Sequence, residues 1–96
     1  MKSKELYRKQ ARLLKALANE TRLLIVDKLS EGEKSVNELV ELAGLDQSTV
    51  SKHLAVLRSE GIVQDRKQNN FVFYTLVTVC VTNFFSCASK VLKERN

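Results

Sequence analysis

Residues 35–57 read SVNELVELAGLDQSTVSKHLAVL and contain the signals that decide the fold. The first half predicts a short helix, because its apolar residues occupy the i, i+3, i+4 and i+7 positions of one face, at Val36, Leu39, Val40 and Ala43. Ser35 and Glu38 have the spacing of a capping box, which marks the helix start. Gly44 marks the end, since glycine readily adopts the left-handed conformation beyond a helix C-terminus.

A second helix is predicted only two residues beyond this glycine, with Asp46 as its N-cap. Its inner stripe consists of Val50, His53, Leu54 and Leu57, and its outer face of Gln47, Ser48, Ser51, Lys52, Ala55 and Arg58. A helix, a tight glycine turn and a helix with a polar outer face form the helix-turn-helix pattern.

Two further helices are predicted upstream of this pair. Residues 4–18 place apolar side chains at helical spacing among basic ones, which indicates an amphipathic helix. Asn19 then resembles an N-cap, and the apolar run from Leu23 to Leu29 predicts a largely buried helix of about ten residues. The polar segment 30–33 ends it.

Downstream, residues 62–66 and 71–76 are rich in β-branched and aromatic residues and flank a polar tip at residues 67–70. This pattern predicts a β-hairpin, which forms a wing. A last helix is predicted to open near Thr78 and to run through Lys93. The expected fold is mainly α with a β-hairpin wing, a winged helix-turn-helix of order α-α-α-α-β-β-α, in one domain covering residues 1–96.

Length and charge narrow the class of protein. Ninety-six residues suit a single small domain, and such domains often complete their apolar burial by dimerising. The net charge is +5, with six basic residues among the first fifteen, which favours a nucleic-acid partner only weakly. The segment at the start lacks the apolar run of a signal peptide, and no segment is long enough to span a membrane. We therefore expect a cytoplasmic protein whose Cys80 and Cys87 are thiols.

Three ordered segments resemble the ArsR/SmtB family of small metal- and stress-responsive repressors. They are ALANETRL at 16–23, DQSTVSKHL at 46–54, and the wing residues DRKQ at 65–68 with VFY at 72–74. The resemblance implies a homodimer in which the first and last helices build the interface. It also implies that the two recognition helices face an inverted-repeat operator in double-stranded DNA, and that the chain acts as a repressor.

The matched residues suggest how DNA would be read. A recognition helix presents its N-terminal residues to base edges in the major groove, so base contacts are assigned to Gln47, Ser48, Thr49 and Ser51. Lys52 is assigned to phosphate, and His53 to packing or a phosphate contact rather than to metal. In the wing, Arg66 and Lys67 are expected to reach the DNA backbone or minor groove; the alternative for them is an exposed charged turn.

The signal-sensing site is less defined. Many metal and metalloid sensors of this family carry Cys-Val-Cys at the start of the third helix, where this chain has Ser35-Val36-Asn37. The last helix has no His, which also argues against a zinc or nickel site.

Cys80 and Cys87 remain, two helical turns and about 10 Å apart on one helical face, with Cys80 in the first turn of a helix capped by Thr78. They are candidates for an oxidant, a sulfur species or a soft metalloid. Alternatively, both only pack as small buried apolar residues at the dimer interface.

Two other classes of protein fit the sequence less well. An enzyme is disfavoured by the lack of a credible catalytic set: the single His lies on a packing face, there is no Gly-rich phosphate loop, and the thiols have no partner base. A winged helix that binds another protein instead of DNA would need an acidic or apolar recognition face. The outer face of the fourth helix is polar and basic, which favours DNA. The sequence also allows a DNA-binding regulator that does not sense a signal through its thiols.

Overall fold

The computed structural model of the chain describes residues 3–95, and the side chains of residues 3–94. The elements are α1 (Lys4–Leu17), α2 (Glu20–Leu29), β1 (Lys34–Ser35), α3 (Val36–Ala43), α4 (Gln47–Ser59), β2 (Val63–Gln68), β3 (Phe71–Leu76), a 3-10 turn (Val79–Val81) and α5 (Thr82–Arg95). The predicted fold, mainly α with a β-hairpin wing, is confirmed.

The helix ends follow the predicted caps. The Asn19 side chain accepts hydrogen bonds from the backbone N–H groups of Thr21 and Arg22, and Ser35 and Glu38 form both bonds of a capping box. Gly44 has φ 68° and donates its N–H to the Val40 carbonyl, which closes α3 in the left-handed conformation. These local bonds satisfy backbone groups that a helix end leaves unpaired.

The sheet has three strands in the order β1-β3-β2, all antiparallel. The two-residue strand β1 was not predicted, because two residues are too short to show a strand periodicity. It pairs Lys34 with Tyr74 and Ser35 with Phe73. The hairpin turn is also tighter than predicted: Lys67 lies within β2, and only Asn69 and Asn70 form the turn, with Asn69 at φ 57°.

The core lies where α2, α3 and α4 pack on the sheet. Its fully buried members are Ile25, Val26, Leu39, Val50, Leu54, Leu57 and Ile62. Helix α1 contributes only Ala16 and Leu17 as buried residues, both in its last turn. Most of α1 therefore projects from the core, and only its C-terminal turn is anchored there.

The start of the last helix differs from the prediction. Thr78 forms no side-chain cap hydrogen bond, and Val79–Val81 form a 3-10 turn before α5 begins at Thr82. The first-turn position predicted for Cys80 is therefore wrong. The 3-10 turn runs directly into α5, so Cys80 lies in the turn and Cys87 in the helix; the shared face of the two cysteines stays a prediction.

An apolar cavity of about 300 Å³ opens between α1, α2 and α5. It is lined by Leu14, Leu17, Ala18, Leu23, Val81, Phe84, Phe85 and Ala88. Large apolar side chains of α1 and α5 are exposed around the cavity, including Leu14 and Phe84. Among residues 3–95, no helix has the length and apolar character that crossing a membrane requires.

Candidate nucleic-acid interface

The N-terminal turn of α4 presents an exposed polar surface. Gln47, Ser48, Ser51 and Lys52 are all exposed. Thr49 differs, because it is half-buried and its hydroxyl donates to Asp46 Oδ1 at 2.5 Å while its backbone N–H donates to Asp46 Oδ2 at 3.2 Å. These bonds lower the pKa of Asp46, the Thr49 hydroxyl having the largest effect. The Thr49 hydroxyl proton is thus occupied within the cap, which leaves three of the four assigned base-contact residues fully available.

Lys52 lies on the same surface, one turn further along α4. Within residues 3–94 it has no carboxylate oxygen at ion-pair distance. Its ammonium group is therefore available to a phosphate.

A polar cleft of about 200 Å³ separates α4 from the wing. It is lined by Ser35, Val36, Asn37, Gln47, Ser51, Asn70, Phe71, Val72 and Tyr74. Residues from the start of α3, the exposed face of α4 and the hairpin turn thus meet around one opening. This arrangement brings two of the predicted base-contact residues, Gln47 and Ser51, next to the wing.

The two wing residues predicted to contact DNA differ in their side-chain contacts. Lys67 is exposed in β2. Arg66 donates to both carboxylate oxygens of Glu33, to the side-chain oxygen of Gln68 at 2.7 Å, and lies 4.7 Å from the ring centroid of Phe73. Its exposed guanidinium is therefore already paired, so that a phosphate would have to compete with Glu33 for it.

His53 is half-buried on the inner edge of α4, as its place in the stripe predicts. Its Nδ1 lies 3.2 Å from Nη1 of Arg22 in α2. Burial, followed by the Arg22 charge, lowers the pKa of His53. Arg22 was not singled out from the sequence, because it lies 31 residues away and no local pattern connects the two.

Both cysteines are exposed thiols. The alternative prediction for Cys80 and Cys87, packing at an interface with a second chain, stays open. No cluster of three or more His, Cys, Asp or Glu residues that could hold a metal ion occurs in the described part of the chain.

Comparison with known proteins identifies the architecture. The model of the bacterial regulatory proteins of the arsR family matches residues 19–65, from the N-cap of α2 into β2. A solution structure of the homodimeric winged helix-turn-helix DNA-binding domain of Mb0332 from Mycobacterium bovis, a possible ArsR-family transcriptional regulator, superposes with a TM-score of 0.81 and 32% identity. The aligned part covers 98% of this chain and 90% of that one. The chain belongs to the ArsR family.

Two other relatives extend this comparison. The transcriptional activator HlyU of Vibrio cholerae is 53% identical over 64 residues, which are 67% of this chain and 59% of HlyU. A solved structure of reduced HlyU superposes with a TM-score of 0.79 at 41% identity, covering 91% of this chain and 92% of that chain. The arsenical resistance operon repressor of Escherichia coli is 49% identical over 65 residues, 67% of this chain and 56% of the repressor.

These relatives are transcriptional regulators and not enzymes, and this chain has the winged helix-turn-helix fold of their family. The aligned sequence segments span less than two thirds of the length of HlyU and of the arsenical repressor. One of these relatives is named an activator and the other a repressor.

Proposed function

We propose that this ArsR-family chain binds an inverted-repeat operator in double-stranded DNA as a homodimer and represses transcription. The observation that carries the proposal is the exposed polar turn of α4 facing the wing across the polar cleft. A major groove about 12 Å wide admits one helix, and the wing then lies over the adjacent backbone. Gln47, Ser48 and Ser51 contact base edges, Thr49 contributes as an acceptor, and Lys52 and Lys67 contact phosphates.

The homodimer is supported by the apolar surface of α1 and α5. Leu14, Phe84, Val91 and Leu92 are between 45% and 57% exposed in the single chain and surround or extend the apolar cavity. Exposed apolar patches of this kind mark protein interfaces. A two-fold pair buries the same surface on both copies and sets two α4 helices at a fixed separation, which suits two half-sites about 34–36 Å apart.

Replacement of Gln47 by Ala tests the base-reading role. The change removes a side chain that can bond adenine with two hydrogen bonds, so affinity for the operator falls more than affinity for a scrambled duplex. Lys52→Ala is the matched control, since loss of a phosphate contact weakens both duplexes alike and flattens the salt dependence by about 0.9 in log–log slope per lost contact. Equal losses on both duplexes for Gln47→Ala would contradict base reading by this residue.

A second part of the proposal concerns release from DNA. We infer that a thiol-directed signal at Cys80 and Cys87, from an oxidant, a sulfur species or a soft metalloid, changes the packing of α5 and so lowers DNA affinity. The specific support is that both thiols are exposed and that Cys80 directly precedes Val81, which lines the apolar cavity together with Phe84. Thiolate sulfur is the ligand that soft metalloids prefer.

Cys80→Ser and Cys87→Ser, compared in parallel, test this signal. Each variant is expected to bind operator like the parent under reducing conditions and to resist release by arsenite or by polysulfide. Ser86→Ala, next to Cys87 and also exposed, is the control and should respond like the parent. Release of both cysteine variants as readily as the parent would show that the thiols do not sense.

A further inference from the structure

Arg22 joins three helices through one side chain. It sits in the first turn of α2, where its backbone N–H donates to the Asn19 cap at 3.1 Å. Its Nε donates to the carbonyl of Ala16 in the last turn of α1 at 2.5 Å, and its Nη1 lies 3.2 Å from His53 Nδ1 in α4. The Ala16 carbonyl belongs to the only turn of α1 that is buried in the core. Arg22 thus connects the anchored end of α1 with the recognition helix.

The chemistry of the two side chains fixes the proton on the imidazole. A guanidinium has only donors, so the Nδ1 atom that faces Arg22 must be an acceptor without a proton. His53 is therefore neutral, with its proton on Nε2. A second proton on the ring would remove the acceptor and place two cations side by side in a half-buried site.

Among the described side chains, the charged groups near this pair are exposed or bonded elsewhere. Burial first, and then the Arg22 charge, lower the pKa of His53. Lys52, its neighbour on α4, points to the exposed surface. The other charged side chains that join α4 to its neighbours bond to each other, namely Arg12 of α1 with Glu60, and Arg58 with Asp65 of β2. The capping-box bonds at the start of α3 hold Glu38.

We propose that Arg22 is a positioning residue for DNA binding, which acts through His53 Nδ1 to hold α4 at a fixed angle to the α1–α2 junction. The proposal rests on the proposed function, since α1 is there the dimer helix and α4 the reading helix. A rotation of α4 about this contact displaces Gln47 and Ser51, which lie up to two turns away along the same helix. In a dimer the mismatch occurs at both half-sites, because both α4 helices must fit the DNA at once.

Two amide substitutions at His53 separate this role from a direct DNA contact. An Asn amide oxygen occupies the place of Nδ1 and keeps an acceptor for Arg22 without titrating, whereas a Gln amide occupies the place of Nε2. The ligand is a duplex that the parent selects from a random-core library, with a scrambled duplex as control. Affinities are measured at pH 7.5 and pH 5.5.

The expected pattern is specific. The parent loses affinity for the selected duplex progressively from pH 7.5 to pH 5.5, because each protonated His53 loses its bond with Arg22. His53→Asn keeps the parent's affinity at pH 7.5 and shows much less loss at pH 5.5. His53→Gln and Arg22→Met bind at least tenfold more weakly at both pH values, while circular dichroism shows the parent's helix content.

The opposite pattern overturns the proposal. In that pattern His53→Gln retains affinity, His53→Asn loses affinity, and acidification strengthens binding by the parent. It would mean that His53 donates from Nε2 to a phosphate and that Arg22 has no positioning role.

A measurement without DNA keeps the two proposals distinguishable. If the parent selects no duplex, the proposed function fails. Nitrogen-15 NMR of the free protein then still tests the contact between Arg22 and His53. A His53 ring protonated at Nε2 in the parent, and a mixture of the two tautomers in Arg22→Met, support the contact. A ring protonated at Nδ1 in the parent refutes it.

Discussion

Glu33 and Arg66 form a two-bond ion pair, with Arg66 Nε 2.8 Å from Glu33 Oε2 and Arg66 Nη2 2.6 Å from Glu33 Oε1. The pair joins the segment before β1 to the middle of β2, 33 residues later. The hydrogen bond from Arg66 lowers the pKa of Glu33, which favours the ionised carboxylate. A wing residue predicted to contact DNA is thus already neutralised by a neighbouring acid.

Replacement of Glu33 by Gln is expected to strengthen binding to any duplex at low salt. The change removes the charge that competes with phosphate for the guanidinium, and each added phosphate contact steepens the log–log salt slope by about 0.9. Filter binding or fluorescence anisotropy between 50 and 200 mM salt measures the effect. Glu31→Gln is the matched control, because Glu31 pairs with Lys28 and Lys34 and leaves the wing untouched. Weaker binding by Glu33→Gln would mean that the ion pair mainly positions the wing.

Ser35→Ala should destabilise the protein by about 1 kcal/mol, because Ser35 is the N-cap of α3 and its hydroxyl accepts from the Glu38 backbone N–H at 3.1 Å. Urea denaturation measures the change. Ser59→Ala, at the exposed end of α4, is the control and should shift stability by less than about 0.5 kcal/mol. Equal effects of the two substitutions would contradict the capping role.

Acid should weaken the fold through the carboxylates that accept hydrogen bonds. In the folded chain the pKa of Glu38 is lowered, first by the bond from the Ser35 backbone. A carboxylate with a lowered folded pKa stabilises the fold above its unfolded pKa, about 4.5, and this stabilisation is lost as pH falls through the folded value. Glu38→Gln therefore loses less stability between pH 7 and pH 3 than the parent does. Glu41→Gln should behave like the parent, since Glu41 forms no hydrogen bond or ion pair with the described side chains.

Phe84→Glu is expected to convert a dimer into a folded monomer. Phe84 is 57% exposed in the single chain and lines the apolar cavity between α1 and α5, so a carboxylate there would be buried unpaired in a dimer. Phe71→Glu is the matched control, because Phe71 is 51% exposed but lies on the wing. Sedimentation velocity distinguishes the outcomes. A Phe84→Glu protein that stays dimeric would place the interface elsewhere.

Leu54→Ala should cost about 2–5 kcal/mol of stability, since Leu54 is fully buried where α4 packs on the core and its loss leaves a cavity. Leu42→Ala offers a comparison at the same residue type, because Leu42 is 44% exposed on α3. Thermal or urea unfolding compares them. Similar losses would place Leu42 in contact with a second chain or segment.

The sequence by itself determined the elements whose signals are local. Asn19, Ser35, Gly44 and Asp46 set helix ends through bonds that reach two to four residues, and the period of the apolar residues assigned the helices and the hairpin. The residues available for base contact, at the start of α4, follow from the same local pattern, because a cap and a period fix which side chains face outward.

Only the tertiary structure decided the features that depend on distant partners. Strand β1 exists because β3 pairs with Lys34 and Ser35, and no two-residue stretch has a strand period of its own. The 3-10 turn before α5 displaced Cys80 from the position that an uninterrupted period predicts. The bonds of Arg66 with Glu33 and of Arg22 with His53 span 33 and 31 residues. Such contacts depend on how whole elements pack against one another. Composition and local spacing along the chain therefore do not predict them.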